Sequence, residues 1–283
     1  MAKYNIEKVY KEINTIDGEF GVRMNYGSPS EYINGPLRNY CPYRGHHKGL
    51  GTCFYYHEMA TSGVINLVEN LMKCSLDYDK LAEYAILFLS YKLYQYPDYS
   101  RRKLNDIYTK NIETNKYYNQ KIKGNSLTCK EIINRKKDLM NMNINEISKF
   151  NEAFSILCKL YNEIKNNKVD CAKCSTKANE FIQNFEKLND DSNINENASY
   201  SKLLFTLSDD YNNLKNKCND LPILPKVKTP PSKLIPVLST IPVIPVFLGI
   251  AYKYSLFGID KLFQRQYIRK KLKKVKNKMK LNI

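Results

Sequence analysis

Cys171 and Cys174 stand at C-x-x-C spacing in "VDCAKCSTKANEFIQNFEKLND", a pattern that serves three chemistries. Two thiols so placed make half a zinc knuckle, a dithiol redox centre, or two anchors for disulfides. A zinc ribbon needs a second C-x-x-C, and the chain has none. A thioredoxin-like dithiol follows a strand in a βαβ unit, whereas the residues around Cys171 carry helical periodicity. Cys41, Cys53, Cys74, Cys129, Cys158 and Cys218 bring the total to eight, all before residue 219. An even number confined to one region favours structural disulfides in an oxidising compartment, so all eight are disulfide candidates.

A second cluster tempts a metal assignment. In "CPYRGHHKGLGTCFYYHEM", Cys41, His46, His47, Cys53 and His57 are all ligand types, but their spacing matches no common finger. "HEMAT" is not a zincin, because Thr61 stands where the second His is required, and "GHHKGLG" lacks the Gly-Lys-Ser/Thr ending of a P-loop. The expectation is an exposed loop closed by a local Cys41–Cys53 bridge. No G-x-S-x-G and no persuasive Cys/His pair occurs, so no catalytic residue, metal ligand or cofactor is assigned. The basic clusters "RRK" at 101–103 and "NRKK" at 134–137 read as solvated helix faces, not nucleic-acid contacts. Asn197-Ala198-Ser199 matches a glycosylation sequon, a weak signal in an Asn-rich chain.

These residues must be positioned by helices. Leu81, Tyr84, Ala85, Phe88 and Leu89 fall on one helical stripe, and "YAILFLSY" is apolar nearly all round, the mark of a central buried helix. Ile147, Phe150, Phe154, Leu157, Tyr161 and Ile164 step at three and four, as do Cys174, Ala178, Phe181, Phe185 and Leu188, and again Leu203, Leu207, Tyr211, Leu214 and Cys218. "YSRRKLNDIYTKNIETNKYYNQ" and "TCKEIINRKKDLM" read as peripheral helices, and residues 15–53, rich in Gly, Pro, Ser and Asn, as loops. No run alternates convincingly with period two. The fold class expected is therefore all-α: a disulfide-bridged helical bundle over residues 1–218, with a loop-rich part at 1–60. A short loop near 165–170 makes its flanking helices an antiparallel hairpin, and the returning helix brings Cys218 back. Cys158, Cys171, Cys174 and Cys218 then gather as two bridges of undetermined pairing.

The formal net charge of +17 is unevenly spread, since residues 253–283 hold eleven Lys/Arg against Asp260 alone. The high pI thus reflects a tail more than a nucleic-acid-binding surface. Residues 219–233, with four prolines, read as an extended tether. Leu234–Tyr252 is 19 residues without a charge, about 28 Å as a helix against a hydrocarbon core of ~30 Å. Pro236, Pro242 and Pro245 interrupt it, which membrane helices tolerate. The densest basic cluster, including Arg269, Lys270, Lys271, Lys273 and Lys274, follows the span and favours a cytosolic tail, with the bundle on the lumenal or external side. The polar N-terminus has no apolar h-region, so the late span must itself direct translocation. The tail's stripe of Ile268, Leu272, Val275 and Met279 amid lysines suits anionic lipid or the cytoskeleton.

Taken together, "ISKFNEAFSILCKLYNEI", "CAKCSTKANEFIQNFEKLNDD", "YSKLLFTLSDDYNNLKNKCNDLP" and "FLGIAYKYSLFGIDKLFQRQYIRKKLKK" resemble the PIR (Plasmodium interspersed repeat) superfamily of malaria-parasite variant proteins, with the rodent-parasite branch nearest. The likeness runs from about Ile65 to the C-terminus. It implies a helical, cysteine-bridged ectodomain, one C-terminal span and a short basic tail. It also implies export towards the infected red-cell surface or parasite-derived membranes, and a role in host–parasite interaction with host proteins or immune receptors. It implies no catalytic residues. The departures are N-terminal: no cysteine precedes Cys41, and Phe88 stands where the family usually has Trp.

Overall fold

Asn5 opens the first helix, α1 (Ile6–Asp17), its side chain accepting the Lys8 N–H. Ile6, Val9, Tyr10, Ile13 and Ile16 form the buried stripe of that helix. The computed structural model describes residues 4–44, 51–165, 168–169 and 171–228. Residues 15–53, expected as loops, instead contain the end of α1 and a hairpin of β1 (Phe20–Asn25) and β2 (Ser28–Ile33). Its two-residue turn has Tyr26 at φ 48° and Gly27 at φ 80°. Two positive φ angles match the twist of the flanking strands, and glycine adopts one of them without a Cβ clash. The expected all-α class is thus mostly helical with small strand pairs, the others being β3 (Tyr43–Arg44) with β4 (Gly51–Thr52), and later β5 with β6.

The bundle follows. α2 (Tyr56–Leu71) and α3 (Tyr78–Tyr94) pack on each other. α3 is buried almost continuously from Leu81 to Leu93 because it also meets α5 (Cys129–Asn134) and α6 (Ile144–Asn162). Between them the single helix expected near residue 104 is broken into α4 (Leu104–Ile107), a π turn and a 3-10 turn. Asn115 caps the last of these by accepting the Tyr117 N–H, a turn role that asparagine favours over helix interior. α6 starts on a capping box, Asn143 and Glu146 each accepting the other's backbone N–H. β5 (Ile164–Lys165) and β6 (Lys168–Val169) then lead into α7 (Cys171–Asn189), which packs along α6. The short α8 (Ser192–Glu196) and α9 (Ala198–Lys215) complete the described helices.

Two buried polar groups lock elements that apolar packing alone would leave free to slide. Asp210 on α9 is fully buried and accepts hydrogen bonds from Tyr10 of α1 at 2.8 Å and Tyr84 of α3 at 2.9 Å. Tyr161 of α6 donates to the Asp210 carbonyl at 2.6 Å and stacks on Tyr10 with centroids 4.3 Å apart. Lys92, near the end of α3 and buried, donates to the Asp17 carboxylate at 2.7 Å, the Asp17 carbonyl at 3.0 Å and the Phe20 carbonyl at 3.1 Å. Its ammonium therefore fixes both the end of α1 and the root of the hairpin.

The tether expected at 219–233 needs correction over its first part. Leu221 and Leu224 are buried, Tyr211 donates to the Pro222 carbonyl at 2.9 Å, and Asn189 bonds both the Lys226 carbonyl and the Lys228 N–H. Residues 219–228 thus pack on the domain, held by their buried leucines and by bonds to Tyr211 of α9 and Asn189 of α7.

Candidate functional site

The cysteines are placed as two bridges and a set of core thiols. Cys41 pairs with Cys53, and Cys171 with Cys218. Of the eight disulfide candidates, Cys74, Cys129 and Cys158 are unbridged and buried in the structure. Cys158 packs towards α1, whose Asn14 donates to its carbonyl at 3.0 Å, and so does not join Cys171 and Cys218 at the helix ends. Cys174 is buried on the inner side of α7. Burial pushes the Cys129 and Cys158 thiols well above their ordinary range, so neither is a nucleophile or a ready metal ligand. Among the described residues no group of three His, Cys, Asp or Glu could hold a metal ion. His46 and His47 lie outside them, as do Leu234, Pro242, Pro245 and Tyr252 of the expected span and Arg269, Lys270, Lys271, Lys273 and Lys274 of the tail. Among the described residues no helix is long and apolar enough to cross a membrane. The sequon residue Asn197 caps α9, accepting from Ser199 and Tyr200.

The features that stand out lie at the hairpin end of the bundle. Phe20 roots β1 in the core between Tyr56 and Phe88. Beyond it the arm is exposed, Met24 at 68%. Nearby in sequence, the Cys41–Cys53 bridge ties the segment before β3 to that after β4, with Ser62 of α2 against the Cys53 sulfur at 3.4 Å. A Cβ on Gly51 would sit 2.6 Å from the Arg38 carbonyl and 2.7 Å from that of Cys41, so only glycine fits this close approach. Glu58 then accepts the backbone N–H groups of Phe54 at 2.7 Å and Tyr55 at 3.2 Å, fixing the chain just where it enters α2. On that fixed backbone, Tyr43, Phe54 and Tyr55 are 49%, 61% and 56% exposed, with Tyr43 and Phe54 in ring contact at 4.9 Å.

A chain of ring contacts extends this surface. Tyr55 stacks on His57, and His57 Nδ1 shares a hydrogen bond with the Tyr99 hydroxyl at 2.9 Å. Tyr99 lies against Tyr96, which stacks on Tyr56 and lies near Glu31 of the hairpin. The Arg102 guanidinium lies over the Tyr99 ring at 4.5 Å, and that of Arg23 over Tyr32 at 5.5 Å. Burial and the Arg102 charge hold His57 below its usual range, so the ring is uncharged at neutral pH. Burial raises the Glu31 carboxyl, opposed by the nearby Tyr96 hydroxyl. Such a surface is built for contact, not for proton transfer: it holds aromatic rings and guanidinium groups on a rigid frame and no nucleophile.

The sequence marked Cys41, Cys53 and His57 here and read Arg102 as part of a solvated face, but it missed Tyr99 and the hairpin that carries Arg23 and Tyr32. "NYGS" at the hairpin turn was the one available signal, a Gly-containing turn between short runs.

Comparisons with known proteins bear on what displays this face. The family model for Plasmodium variant antigen protein Cir/Yir/Bir matches residues 10–253. A solved Plasmodium structure described as a PIR protein ectodomain is 32% identical, with a TM-score of 0.56, covering 80% of this chain and 100% of that one. Among curated proteins nothing matches. The chain belongs to the Plasmodium Cir/Yir/Bir family of variant antigens.

Proposed function

We propose that the chain is a variant surface antigen that displays its helical domain outside a membrane for interaction with host proteins or immune receptors. Residues 234–252 form its single span and residues 253–283 its cytosolic tail. The observation that carries this is the contrast at the hairpin end, where large rings are exposed on a backbone fixed by a disulfide, by Glu58 and by Lys92. Aromatic and arginine side chains are enriched at protein interfaces, and exposed positions tolerate substitution at little cost to the fold. A surface of that kind can vary in sequence while the bundle beneath it stays folded, which is what evasion of immune recognition requires. The 19 uncharged residues before a strongly basic tail support the membrane arrangement.

The basic tail favours a second reading, an organiser held inside the cell by anionic lipid or the cytoskeleton. Protease treatment of intact infected cells expressing the full chain with a C-terminal tag separates the two. Surface display predicts that the helical domain is digested while the tagged tail is protected. A domain that resists until the cells are permeabilised supports the organiser and removes the display reading.

A further inference from the structure

We propose that the polar groove between the starts of α6 and α9 binds a neutral saccharide, its hydroxyl groups received by Asn143, Glu146, Asn193, Glu196, Asn197 and Tyr200. The inference goes beyond the display reading above and concerns other residues of the domain.

Two helix caps fix the groove. Asn143 caps α6 and Asn197 caps α9, each accepting backbone N–H groups through Oδ1. Both line an open groove of about 460 Å³, within the ~300–1,000 Å³ usual for small-ligand sites. With Oδ1 turned to its helix, each amide keeps an Nδ2 donor that has no partner among the described residues. Glu146, buried at 6% exposure, accepts the Asn143 N–H at 3.0 Å through one oxygen, and the other has no partner among the described residues. Tyr200, in the first turn of α9, is the observation that points to a ligand. It is 7% exposed and lines the groove, yet its hydroxyl has no hydrogen-bond partner among the described residues. The other buried tyrosines all have one: Tyr56 on the Lys92 carbonyl, Tyr118 on the Thr61 carbonyl and Tyr211 on the Pro222 carbonyl, as Tyr10, Tyr84, Tyr99, Tyr108 and Tyr161 have theirs. A buried phenol ordinarily satisfies its polar tip. Burial, then the Glu146 and Asp138 charges, push the Tyr200 phenol up, so it keeps its proton.

The mixture of groups decides the class of ligand. The Asn143 and Asn197 amides and the Tyr200 hydroxyl offer donors, Glu146 and Glu196 offer acceptors, and the Asn193 amide offers either. An anion, which only accepts, would face Glu146 and Glu196, with Asp138 nearby. A cationic amine, which only donates, would oppose the two amide donors and the positive ends of two helices. A hydroxyl group does both, and adjacent hydroxyls on a sugar ring meet donors and acceptors set side by side. The caps hold Asn143, Glu146 and Asn197 in place beforehand, so less side-chain freedom is lost on binding.

The test uses the full chain in lipid nanodiscs, produced without N-glycosylation because Asn197 itself lies in a sequon. The probe is a glycan array with neutral, sialylated and sulfated members, and spermidine is the soluble competitor. The expected result is binding of at least one neutral glycan, unchanged by raising salt from about 50 to about 300 mM and not displaced by spermidine. Tyr200→Phe, which deletes only the hydroxyl, and Asn193→Ala, at an exposed position, should each weaken it by about five-fold or more. The melting temperature of Tyr200→Phe should not fall, since that hydroxyl bonds nothing within the described domain, so a loss of binding is not a loss of fold. Phe54→Ser with Tyr55→Ser, which on the display reading removes binding to an array of deglycosylated host cell-surface ectodomains, should leave sugar binding as it was. Neutral-glycan binding untouched by Tyr200→Phe and Asn193→Ala overturns the inference. So does binding confined to sialylated or sulfated members, binding displaced by spermidine, or an unaltered chain that binds no glycan. None of these outcomes touches the display reading, which the ectodomain array tests on its own.

Discussion

Tyrosine is used in two opposite ways in this molecule. In the core, Tyr10, Tyr84 and Tyr161 are buried and each hydroxyl donates to Asp210, two to its carboxylate and one to its carbonyl. At the hairpin end, Tyr43 and Tyr55 hold their rings in solvent beside Phe54, on backbone that cannot relax to bury them. The same residue type is structural where its polar tip is satisfied inside, and available for recognition where a rigid scaffold keeps its apolar body outside. The difference teaches that stability and recognition are carried by separate residues, and substitutions should separate them.

The largest effect is expected in the core. Tyr10→Ala removes a fully buried ring, its stack on Tyr161 and a donor to Asp210. It should cost about 3–5 kcal/mol, read from urea unfolding. Next comes the covalent tie beneath the exposed face. Replacing Cys41 and Cys53 by serine opens a loop of sequence separation 12 and should cost about 3 kcal/mol by loop entropy. The buried Ser62 hydroxyl would then face two serines in place of a sulfur pair.

The core also carries a pH dependence through Asp210. Burial pushes the Asp210 carboxyl up to about 7, against the opposing hydrogen bonds from Tyr10 and Tyr84; Lys80 lowers it and Asp209 raises it. An unfolded aspartate titrates near ~3.9, so the folded state binds the proton more tightly. Stability contributed by this group is therefore fully present at acid pH and is lost as pH rises towards and through 7. Between pH 5 and 8 the unaltered protein should lose about 2–3 kcal/mol on this account. Asp210→Asn, which cannot ionise, should flatten that slope. A slope unchanged in the variant would assign the titration to another group.

Much of the frame was legible because burial repeats along it. The stripes through Phe150–Tyr161, Ala178–Leu188 and Leu203–Leu214 are buried in α6, α7 and α9, and the all-round apolar "YAILFLSY" is the centre of the bundle. The hairpin was not legible, because Val22 to Pro29 are exposed on both faces and no alternation records a buried side. α1 carries a readable stripe and an asparagine cap, but its charged residues, Glu7, Lys8, Lys11, Glu12 and Asp17, leave the stretch polar enough to mask them. The cysteines show a different limit. An even count constrains the total, whereas pairing depends on distance, and Cys74, Cys129 and Cys158 each pack where no other thiol is within bonding reach. The candidate face was least legible of all. Its parts come from residues 54–57 and 96–102, and only the fold brings Tyr99 to His57 and to Tyr96.

The smallest expected effect on stability is the one that decides the account. Phe54→Ser with Tyr55→Ser changes two exposed rings and no backbone hydrogen bond, so the unfolding free energy should move by less than about 0.5 kcal/mol per site. Measured side by side on the full chain, unfolding and binding to the host ectodomain array should part company. The account predicts an unchanged unfolding curve and binding lost. Binding retained at full strength with an unchanged curve would contradict it and place recognition elsewhere on the domain.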